Sequence, residues 1–523
     1  MNAAGLTGAN GGTDGGGYAH QMPASLRPVH APVTSAAALA QWLAGRADLT
    51  SAGDLDVAIS GITLSTERVC PGDLYAALPG ARAHGADFAA TALERGAVAV
   101  LTDAEGAARL EAGTPALIVD APRTHLGALS ARVYGDPTSQ MSVLGVTGTQ
   151  GKTTTTRLLS EALHGRGVPV GVIGTVGTRV LGEEVRTSLT TPEAPDLQGL
   201  FASMVEAGVE VCAMEVSSHA LVLGRVDGVR FDVATFLNLG RDHLDFHADI
   251  DDYFAAKASL FTPERARVGV ANADDEFGRR LAAQAPIEMH TYALHDDRAD
   301  WRVQDVALDA LGSRCVVRGP DSQRFDLTLH LPGEFNVSNA LAALATAALG
   351  GLDPAEVAAG MAGVGGVPGR LERVDAGQDF AVVVDYAHKP DAVRAVLESL
   401  RPLTDGQLIV VIGAGGDRDP GKRVLMGAEA ARVADLLVVT DDNPRTEDPA
   451  AIRAEVLRGT SGGSARVVEV GDRREAIAEA VRAARPGDVV LIAGKGHESG
   501  QEIAGVVHPF DDRVVAREEL AAL

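Results

Sequence analysis

The sequence predicts an α/β protein of three domains: a small amino-terminal α/β domain, a central P-loop ATPase-type α/β domain and a carboxy-terminal Rossmann-like domain. Three observations carry this expectation. Short apolar runs alternate with helix-period stretches along most of the chain, the pattern of parallel sheets covered by helices. One such run, 141–146, leads into a glycine-rich turn ending Gly151-Lys152-Thr153, and a helical stretch follows it. At 523 residues the chain is also too long for one ordinary core, and its length suggests about three domains. The expected divisions are a tail over 1–30 and domains over 31–140, 141–368 and 369–523.

Residues 1–30 are rich in Gly, Ala and Asn. Such a stretch buries too little apolar surface to offset the entropy of ordering, so a disordered tail is expected. A helix is expected over 36–44. Strands over 97–101 and 116–119, with a helix over 86–95, make the first α/β unit. Pro71-Gly72 is a turn, and Gly135-Asp136-Pro137 marks the boundary.

The second unit continues with a strand over 168–173 and a hairpin over 177–188. A strand over 209–216 ends in Glu215-Val216-Ser217-Ser218-His219. Another, over 231–239, runs into Asn238-Leu239-Gly240-Arg241-Asp242-His243-Leu244-Asp245-Phe246-His247. In doubly wound sheets ligands sit beyond the carboxyl ends of strands, so these polar clusters and the glycine-rich turn could meet in one crevice. Alternation over 301–331 reads as β-hairpins, and 333–339 opens an Ala-rich helix. The Gly/Pro-rich stretch 364–368 reads as a linker. The third unit has strands over 381–385, 408–412, 436–440 and 489–493, with helices over 391–400, 422–432 and 474–484.

A net charge of −24 argues against a general nucleic-acid or anionic-membrane binder. Cys70, Cys212 and Cys315 are widely spaced and odd in number. Reduced thiols in a cytoplasm are expected, not a disulfide or zinc framework. Neither a secretory leader nor a membrane-length apolar run stands out.

The turn at 147–154 suits phosphate. Glycines let backbone N–H groups face phosphate oxygens, and the helix start adds positive potential. Lys152 would reach the β- and γ-phosphates, and Thr153 would offer its hydroxyl to Mg²⁺. The strict motif spacing asks for glycine at 146; here the residue is Val146, and glycines fall at 145, 148 and 151. Glu215 closes an otherwise apolar strand, where a carboxylate is costly unless paired or metal-bound. Its readings are a Mg²⁺ ligand beside the loop, or an N-cap or surface acid. His243 and His247 have metal-pair spacing, but Mg²⁺ prefers oxygen; His243 fits a ligand contact and His247 a structural role. By spacing alone, Lys257 is a solvated helix lysine. Polar stretches at 413–419, 441–445 and 494–498 each follow a strand. Arg418 and Arg445 suit a carboxylate, Asp442 and Glu498 an ammonium, and both signs together suggest an amino acid.

Taken together, Gly148-Thr149-x-Gly151-Lys152-Thr153, Glu215-Val216-Ser217-Ser218-His219, the Lys257 segment, Asn336, Gly369-Arg370-Leu371-Glu372 and Asp385-Tyr386-Ala387-His388 resemble the Mur ligase family over nearly the whole ordered chain. Asp442-Asn443-Pro444-Arg445 resembles the family's signature for meso-2,6-diaminopimelate. The resemblance implies a cytoplasmic, monomeric, ATP-dependent ligase of peptidoglycan precursor synthesis. It would add diaminopimelate to UDP-N-acetylmuramoyl-L-alanyl-D-glutamate through an acyl phosphate, with no nucleic-acid partner and no membrane insertion. It also implies the roles of individual residues. Lys152, Glu215, His243 and Lys257 would be catalytic, with Lys257 carbamylated by CO₂. Thr153, Glu215 and that carbamate would hold Mg²⁺, as two ions. ATP would meet Thr147, Gly148, Thr149, Gln150, Gly151, Lys152, Thr153, Thr154, Asn336, Arg370, Asp385 and His388. The UDP-linked substrate would meet Ser65, Thr66, Thr190, Thr191, Ser217 and Arg225. Diaminopimelate would meet Arg418, Asp442, Asn443, Pro444, Arg445, Gly494 and Glu498. The chain departs from the family where relatives often carry Asp-Ser-Arg and it has Ser65-Thr66-Glu67. It departs again at Leu223, often glutamine. A folate polyglutamate ligase shares the ATP chemistry, and a nucleotide-gated binding protein would share the loop and transfer nothing.

Overall fold

Continuous apolar runs become buried parallel strands because helices cover both faces of the sheet they form. In the computed structural model, which describes residues 26–187, 189–244, 246–309 and 312–523, three large sheets organise the chain. In the central sheet Val170–Ile173, Val211–Glu215, Ser142–Thr147, Phe231–Phe236, Ala266–Asn272 and Glu288–Ala293 lie side by side in that order, all parallel. The hairpin expected over 177–188 is the antiparallel pair Thr178–Val180 and Glu183–Val185 on one edge; Ser188 lies outside the described residues. The alternating segment 301–331 forms no separate layer. Its strands Trp301–Asp309, Gly312–Arg318 and Arg324–Leu329 extend the other edge of the same sheet, because 301–302 pair in parallel with 292–293.

Ser142–Thr147 sits where the winding reverses: the chain leaves it for Val170–Ile173 on one side and later returns to Phe231–Phe236 on the other. Alternate residues of that strand face opposite cores. Leu144 and Val146 pack under Leu158, Leu159, Leu341 and Leu344 of the helices Lys152–Gly165 and Glu334–Leu349. Val143 faces Leu197, Phe201 and Met204 of the helix Ala194–Glu206. Gly145 shares that second face, and a Cβ there would come within 2.6 Å of the Phe231 ring. The glycine therefore serves strand packing, not the turn.

The first sheet runs Leu49–Ala52, Ala116–Val119, Ala97–Thr102, Asp73–Ala76, Gly61–Thr63. Its helix Pro122–Val133 seats against the central unit so closely that a Cβ on Gly127 would lie 2.2 Å from the Asp227 carbonyl oxygen. Of the tail expected up to residue 30, residues 1–25 lie outside the described residues, while 26–30 are held in place. Arg27 pairs with buried Asp73 at 2.6 Å, and the Val29 and His30 amides donate to Glu206 at 2.6 and 2.7 Å. Charge pairing orders a segment whose composition offers little apolar surface.

The third sheet runs Glu372–Arg373, Ala381–Asp385, Val489–Ala493, Leu408–Ile412, Leu436–Val439, Arg466–Glu469, all parallel except the first. The expected linker at 364–368 is packed, with Val367 fully buried. The helix Asp512–Ala521 docks on this sheet through Asp512, which accepts two bonds from Arg473, each 2.7 Å; both side chains are 0% exposed. No helix among the described residues is long and apolar enough to cross a membrane.

Removing one partner of a buried ion pair strands the other charge. Asp512→Ala should therefore destabilise the carboxy-terminal unit by about 3–5 kcal/mol, read as a lowered midpoint of its unfolding transition in urea.

Candidate functional site

The phosphate-loop glycines occupy backbone conformations that side chains disfavour: φ is +156° at Gly148 and +87° at Gly151. At Gly151 a Cβ would also lie 2.3 Å from Asn339 Oδ1. Asn238, just past the neighbouring strand, holds the loop from outside. Its Oδ1 accepts from the amides of Thr149 (3.1 Å) and Gln150 (2.9 Å), and its Nδ2 donates to the Gln150 carbonyl (3.2 Å). Lys152 curls back to donate to the carbonyls of Gly148 (2.8 Å) and Thr149 (3.2 Å). Lys257 comes from the helix Ile250–Ala258 and donates to the same Gly148 carbonyl at 2.9 Å. It is 1% exposed, with its ammonium 4.6 Å from the Tyr253 ring centroid. Spacing alone read it as a solvated lysine; the partner elements bury it. Burial holds Lys152 down to about 8, partly opposed by Glu215. Burial, and then the nearby Lys152 charge, push Lys257 well below the usual lysine range.

A cavity of about 870 Å³ opens beside the loop, beyond the carboxyl ends of the central strands. Thr149, Gln150, Gly151, Lys152, Thr153 and Thr154 line one wall. Glu215 lines the next. It is 1% exposed, and its carboxylate accepts from the Thr175 amide (2.8 Å) and hydroxyl (3.1 Å). Thr190, Thr191, Ser217 and Arg225 continue that wall; Arg225 pairs with Glu193 at 2.8 Å, and Thr191 donates to the Glu215 carbonyl at 3.0 Å. Ser217, not Glu215, caps the short helix Ser218–Val222. His243 reaches the cavity from a strained backbone, φ +52°. Its ring stands edge-on to His219 at 4.7 Å and pairs with Asp242 at 3.1 Å. Burial lowers it to about 4, with Asp242 opposing. His247 is buried between Ser218 and Asp252, a structural position. Asp245 lies outside the described residues.

The carboxy-terminal unit supplies the opposite wall: Arg370, Asp385, His388, Lys389 and Arg418. Arg370 donates to Thr153 Oγ1 at 3.3 Å and lies 4.5 Å from the Tyr386 ring centroid. Asp385 accepts from the amides of Leu371 and Ala387, both 2.8 Å, and burial pushes its carboxyl up. His388 Nδ1 donates to the Tyr386 carbonyl at 2.8 Å, and burial lowers the ring to about 3. Lys389 pairs with Asp242 across the two units.

Other expected residues lie elsewhere. Ser65 and Thr66 sit at the turn Thr66–Arg68 of the first unit, away from this cavity. Thr147 is buried in its strand, its hydroxyl unpartnered. Asn336 is 1% exposed and donates to the Pro332 carbonyl at 2.8 Å; Ser338 and Asn339 line the cavity in its place, because the helix turns Asn336 towards its own start. Asp442, Asn443, Pro444, Arg445, Gly494 and Glu498 form a second cluster, next to Arg418 in the fold of the third sheet but outside the cavity wall. Asn443 donates to Glu498 at 2.9 Å, and fully buried Lys495 donates to Asn443 Oδ1 (2.9 Å) and Glu498 (3.1 Å). Arg445 donates to the Gly416 carbonyl at 2.6 Å from a backbone φ of +54°. Sequence reasoning passed over Thr175 and Lys389, and it gave no role of their own to Asn238, Asn339 and Lys495 within the stretches it singled out. Lys389 directly follows the motif 385–388, which was its only signal.

Among the described residues no group of three or more His, Cys, Asp or Glu side chains could hold a metal by itself. The cavity does present the Glu215 carboxylate and the Thr153 hydroxyl beside a phosphate-binding loop. Such hard oxygen donors suit Mg²⁺ that takes its remaining ligands from phosphate and water.

Three family models match the chain: Mur ligase family, catalytic domain, over 58–134; Mur ligase middle domain over 146–347; and Mur ligase, glutamate ligase domain, over 369–496. The chain is 53% identical to UDP-N-acetylmuramoyl-L-alanyl-D-glutamate–2,6-diaminopimelate ligase of Streptomyces avermitilis, covering 95% of this chain and 98% of the relative. It is 51% identical to the ligase of the same name from Corynebacterium glutamicum, covering 88% and 92%. A solved structure of a ligase with that name superposes with a TM-score of 0.65 at 35% identity, covering 89% of this chain and 95% of that one.

Both cavity histidines are held neutral in the fold, at about 4 for His243 and about 3 for His388, below the ordinary 6.5. The unfolded chain then binds more protons between those values, so stability falls as pH drops from about 6.5 towards 4. Imidazole ¹⁵N shifts should report both rings neutral at pH 6; a charged His388 there would contradict the buried geometry.

Proposed function

The chain belongs to the Mur ligase family, and from that premise we propose that it uses ATP to join meso-2,6-diaminopimelate to UDP-N-acetylmuramoyl-L-alanyl-D-glutamate. One observation carries this: the phosphate loop, Glu215 and the wall Thr190, Thr191, Ser217 and Arg225 share a single cavity with Arg370, Asp385, His388 and Arg418 of the other sheet. Phosphate loop and acid-binding wall thus face each other across a space sized for two ligands.

In the proposed reaction the D-glutamyl γ-carboxylate attacks the γ-phosphorus of ATP, and ADP leaves. The resulting acyl phosphate is attacked at carbon by a neutral amine of diaminopimelate. A tetrahedral species collapses, expelling phosphate, and the amine's proton is lost to solvent or a base. The protein's share is positioning and charge compensation. Lys152 and Arg370 offset phosphate charge from opposite sides. Thr149, Gln150 and Gly151 offer backbone N–H groups, while Asn336 braces the helix start and Asp385 and His388 shape the nucleotide wall. Thr153 and Glu215 would hold Mg²⁺, which would supply positive charge to offset that of the phosphate. Thr190, Thr191, Ser217 and Arg225 orient the peptide end of the UDP-linked substrate, with Ser65 and Thr66 of domain 31–140 towards its uridine end. Arg418, Arg445, Asp442, Asn443 and Glu498 receive the zwitterionic ends of diaminopimelate. We take the enzyme to act as a monomer in the cytoplasm, where ATP and its UDP-linked substrate are dissolved.

Lys257 fits a carbamate. Burial favours its free amine, and a free amine adds to CO₂: the N–C bond forms, one N–H proton leaves, and a cation becomes an anionic oxygen donor beside Gly148. That anion would supply the third ligand the cavity lacks and allow two Mg²⁺ ions. His243, neutral and beside Asp242, would accept a hydrogen bond from a water or amine in the same space.

A folate-extending ligase would use the same ATP wall but leaves the two-signed cluster at 442–445 and 494–498 without a role. The purified protein should release phosphate from ATP only when the nucleotide-sugar dipeptide and diaminopimelate are both present. Release with a folate and glutamate instead would overturn the assignment. Arg445→Ala should raise the KM for diaminopimelate by about ten- to a hundredfold, the loss of a charge-assisted pair. Lys257→Ala should lose most turnover, with short carboxylic acids restoring part of it; full turnover without additive would remove the carbamate from the scheme.

A further inference from the structure

A two-stranded hairpin, Gly500–Ile503 with Val506–Pro509, stands outside the three large sheets. Every residue of its outer strand is exposed, and an isolated hairpin is marginal in water. Its inner strand is seated on the stretch 442–445. Buried Gln501 donates from Nε2 to the Asp442 carbonyl at 2.8 Å. The Glu502 amide donates to Asn443 Oδ1 at 3.0 Å, and the Glu502 carbonyl accepts from the Arg445 amide at 3.0 Å. Arg445 also forms a parallel bridge with Ile503. These bonds bear on Arg445 because its backbone is left-handed, φ +54°. A residue with a side chain keeps that conformation only where its surroundings over-determine it.

The side chains continue the pattern. The Glu502 carboxylate pairs with Arg445 Nε at 3.4 Å, and the Gly416 carbonyl accepts from Nη1 at 2.6 Å. Gly415 leaves room for the guanidinium: a Cβ there would lie 3.1 Å from Nη1. The group is thus held at two of its three nitrogens. Nη2 makes no hydrogen bond among the described residues. The side chains of Arg445 and Glu502 are 26% and 36% exposed, so their Coulombic attraction contributes little. The larger effect is order: an arginine already held loses less rotamer freedom when a ligand binds. Diaminopimelate has two carboxylates for the two guanidiniums of Arg418 and Arg445, whereas lysine has one.

We propose that Glu502 is a specificity-determining residue that acts through Arg445: it fixes the guanidinium for the carboxylate that diaminopimelate has and lysine lacks. The hairpin backbone sets the course of 442–445, and the Glu502 side chain sets the direction of the one guanidinium that tells the two amino acids apart. The proposal rests on the ligase reading for the identity of the ligand.

The test is titration calorimetry on the full chain with Mg²⁺, a non-hydrolysable ATP analogue and the UDP-linked dipeptide. The titrants are meso-diaminopimelate and lysine, lysine by displacement where its binding is too weak to titrate directly. Glu502→Ala keeps every backbone bond of the hairpin. It should weaken diaminopimelate about tenfold and lysine by less than about twofold, with the affinity for the ATP analogue unchanged. Glu502→Gln keeps an acceptor oxygen for Nε and should stay within about threefold of wild type. In an Arg445→Ala background, Glu502→Ala should change diaminopimelate binding by less than about twofold, since both changes remove one contact. In turnover, the KM for diaminopimelate should rise about tenfold in Glu502→Ala while kcat holds. Should Glu502→Ala fold poorly, Glu502→Met decides by the same ratio of the two amino acids. Equal weakening of both amino acids, independent losses in the double variant, or wild-type binding of diaminopimelate without the carboxylate would each overturn the proposal. Absence of phosphate release by the wild type, with the binding ratio still falling in Glu502→Ala, would instead count against the ligase reading alone.

Discussion

The Gly148 carbonyl accepts from two lysines, Lys152 at 2.8 Å on the cavity wall and buried Lys257 at 2.9 Å. Two ammonium groups on one oxygen repel each other, and burial strengthens the repulsion. Burial lowers the proton affinity of Lys257, which eases that repulsion, and the Glu215 charge partly supports Lys152. Both features favour an incoming anion. The loop therefore presents an unbalanced positive edge to the cavity, and the elements around it are placed to meet what that edge attracts.

The placement follows from winding. Ser142–Thr147 lies at the reversal point of the central sheet, where neighbouring loops diverge and leave a crevice. Asn238 and Glu215 come from the two flanking strands, one holding the loop and the other facing its ligand. The third sheet is built the same way, and its strand ends are turned towards the first crevice. Arg370 on Thr153 and Lys389 on Asp242 are two polar links between them. Behind the amino-acid cluster, Lys495 and the Arg473–Asp512 pair form a charged but fully hydrogen-bonded floor. Arg473 also donates to the carbonyls of Asp441 and Ala493, so its buried charge is held from several sides. The cluster is thus held within its own sheet.

Much of this was legible along the chain. Buried strands announce themselves by unbroken apolar runs, and the helix Ala36–Ala44 has the bounds its pattern predicts. Two of the elements missed share a reason. Arg466–Glu469 is an edge strand with exposed ends, and Asp512–Ala521 buries only Val515, Ala516 and Leu520 beside the ion pair of Asp512. Neither carries the apolar signal that sequence patterns detect. Residues 26–30 were read as tail for the same cause, being held by Asp73 and Glu206, which are distant in sequence.

The sequence by itself determined the fold class, the loop at 148–153 and the polar stretches that end each strand, because periodicity and glycine placement are local properties. Only the tertiary structure decided that Lys257 is buried against Gly148, that Asn339 and not Asn336 reaches the cavity, and that Lys389 meets Asp242. Those outcomes depend on which strands lie side by side and how two sheets face each other. Long-range packing sets both, and no spacing within a single segment encodes it.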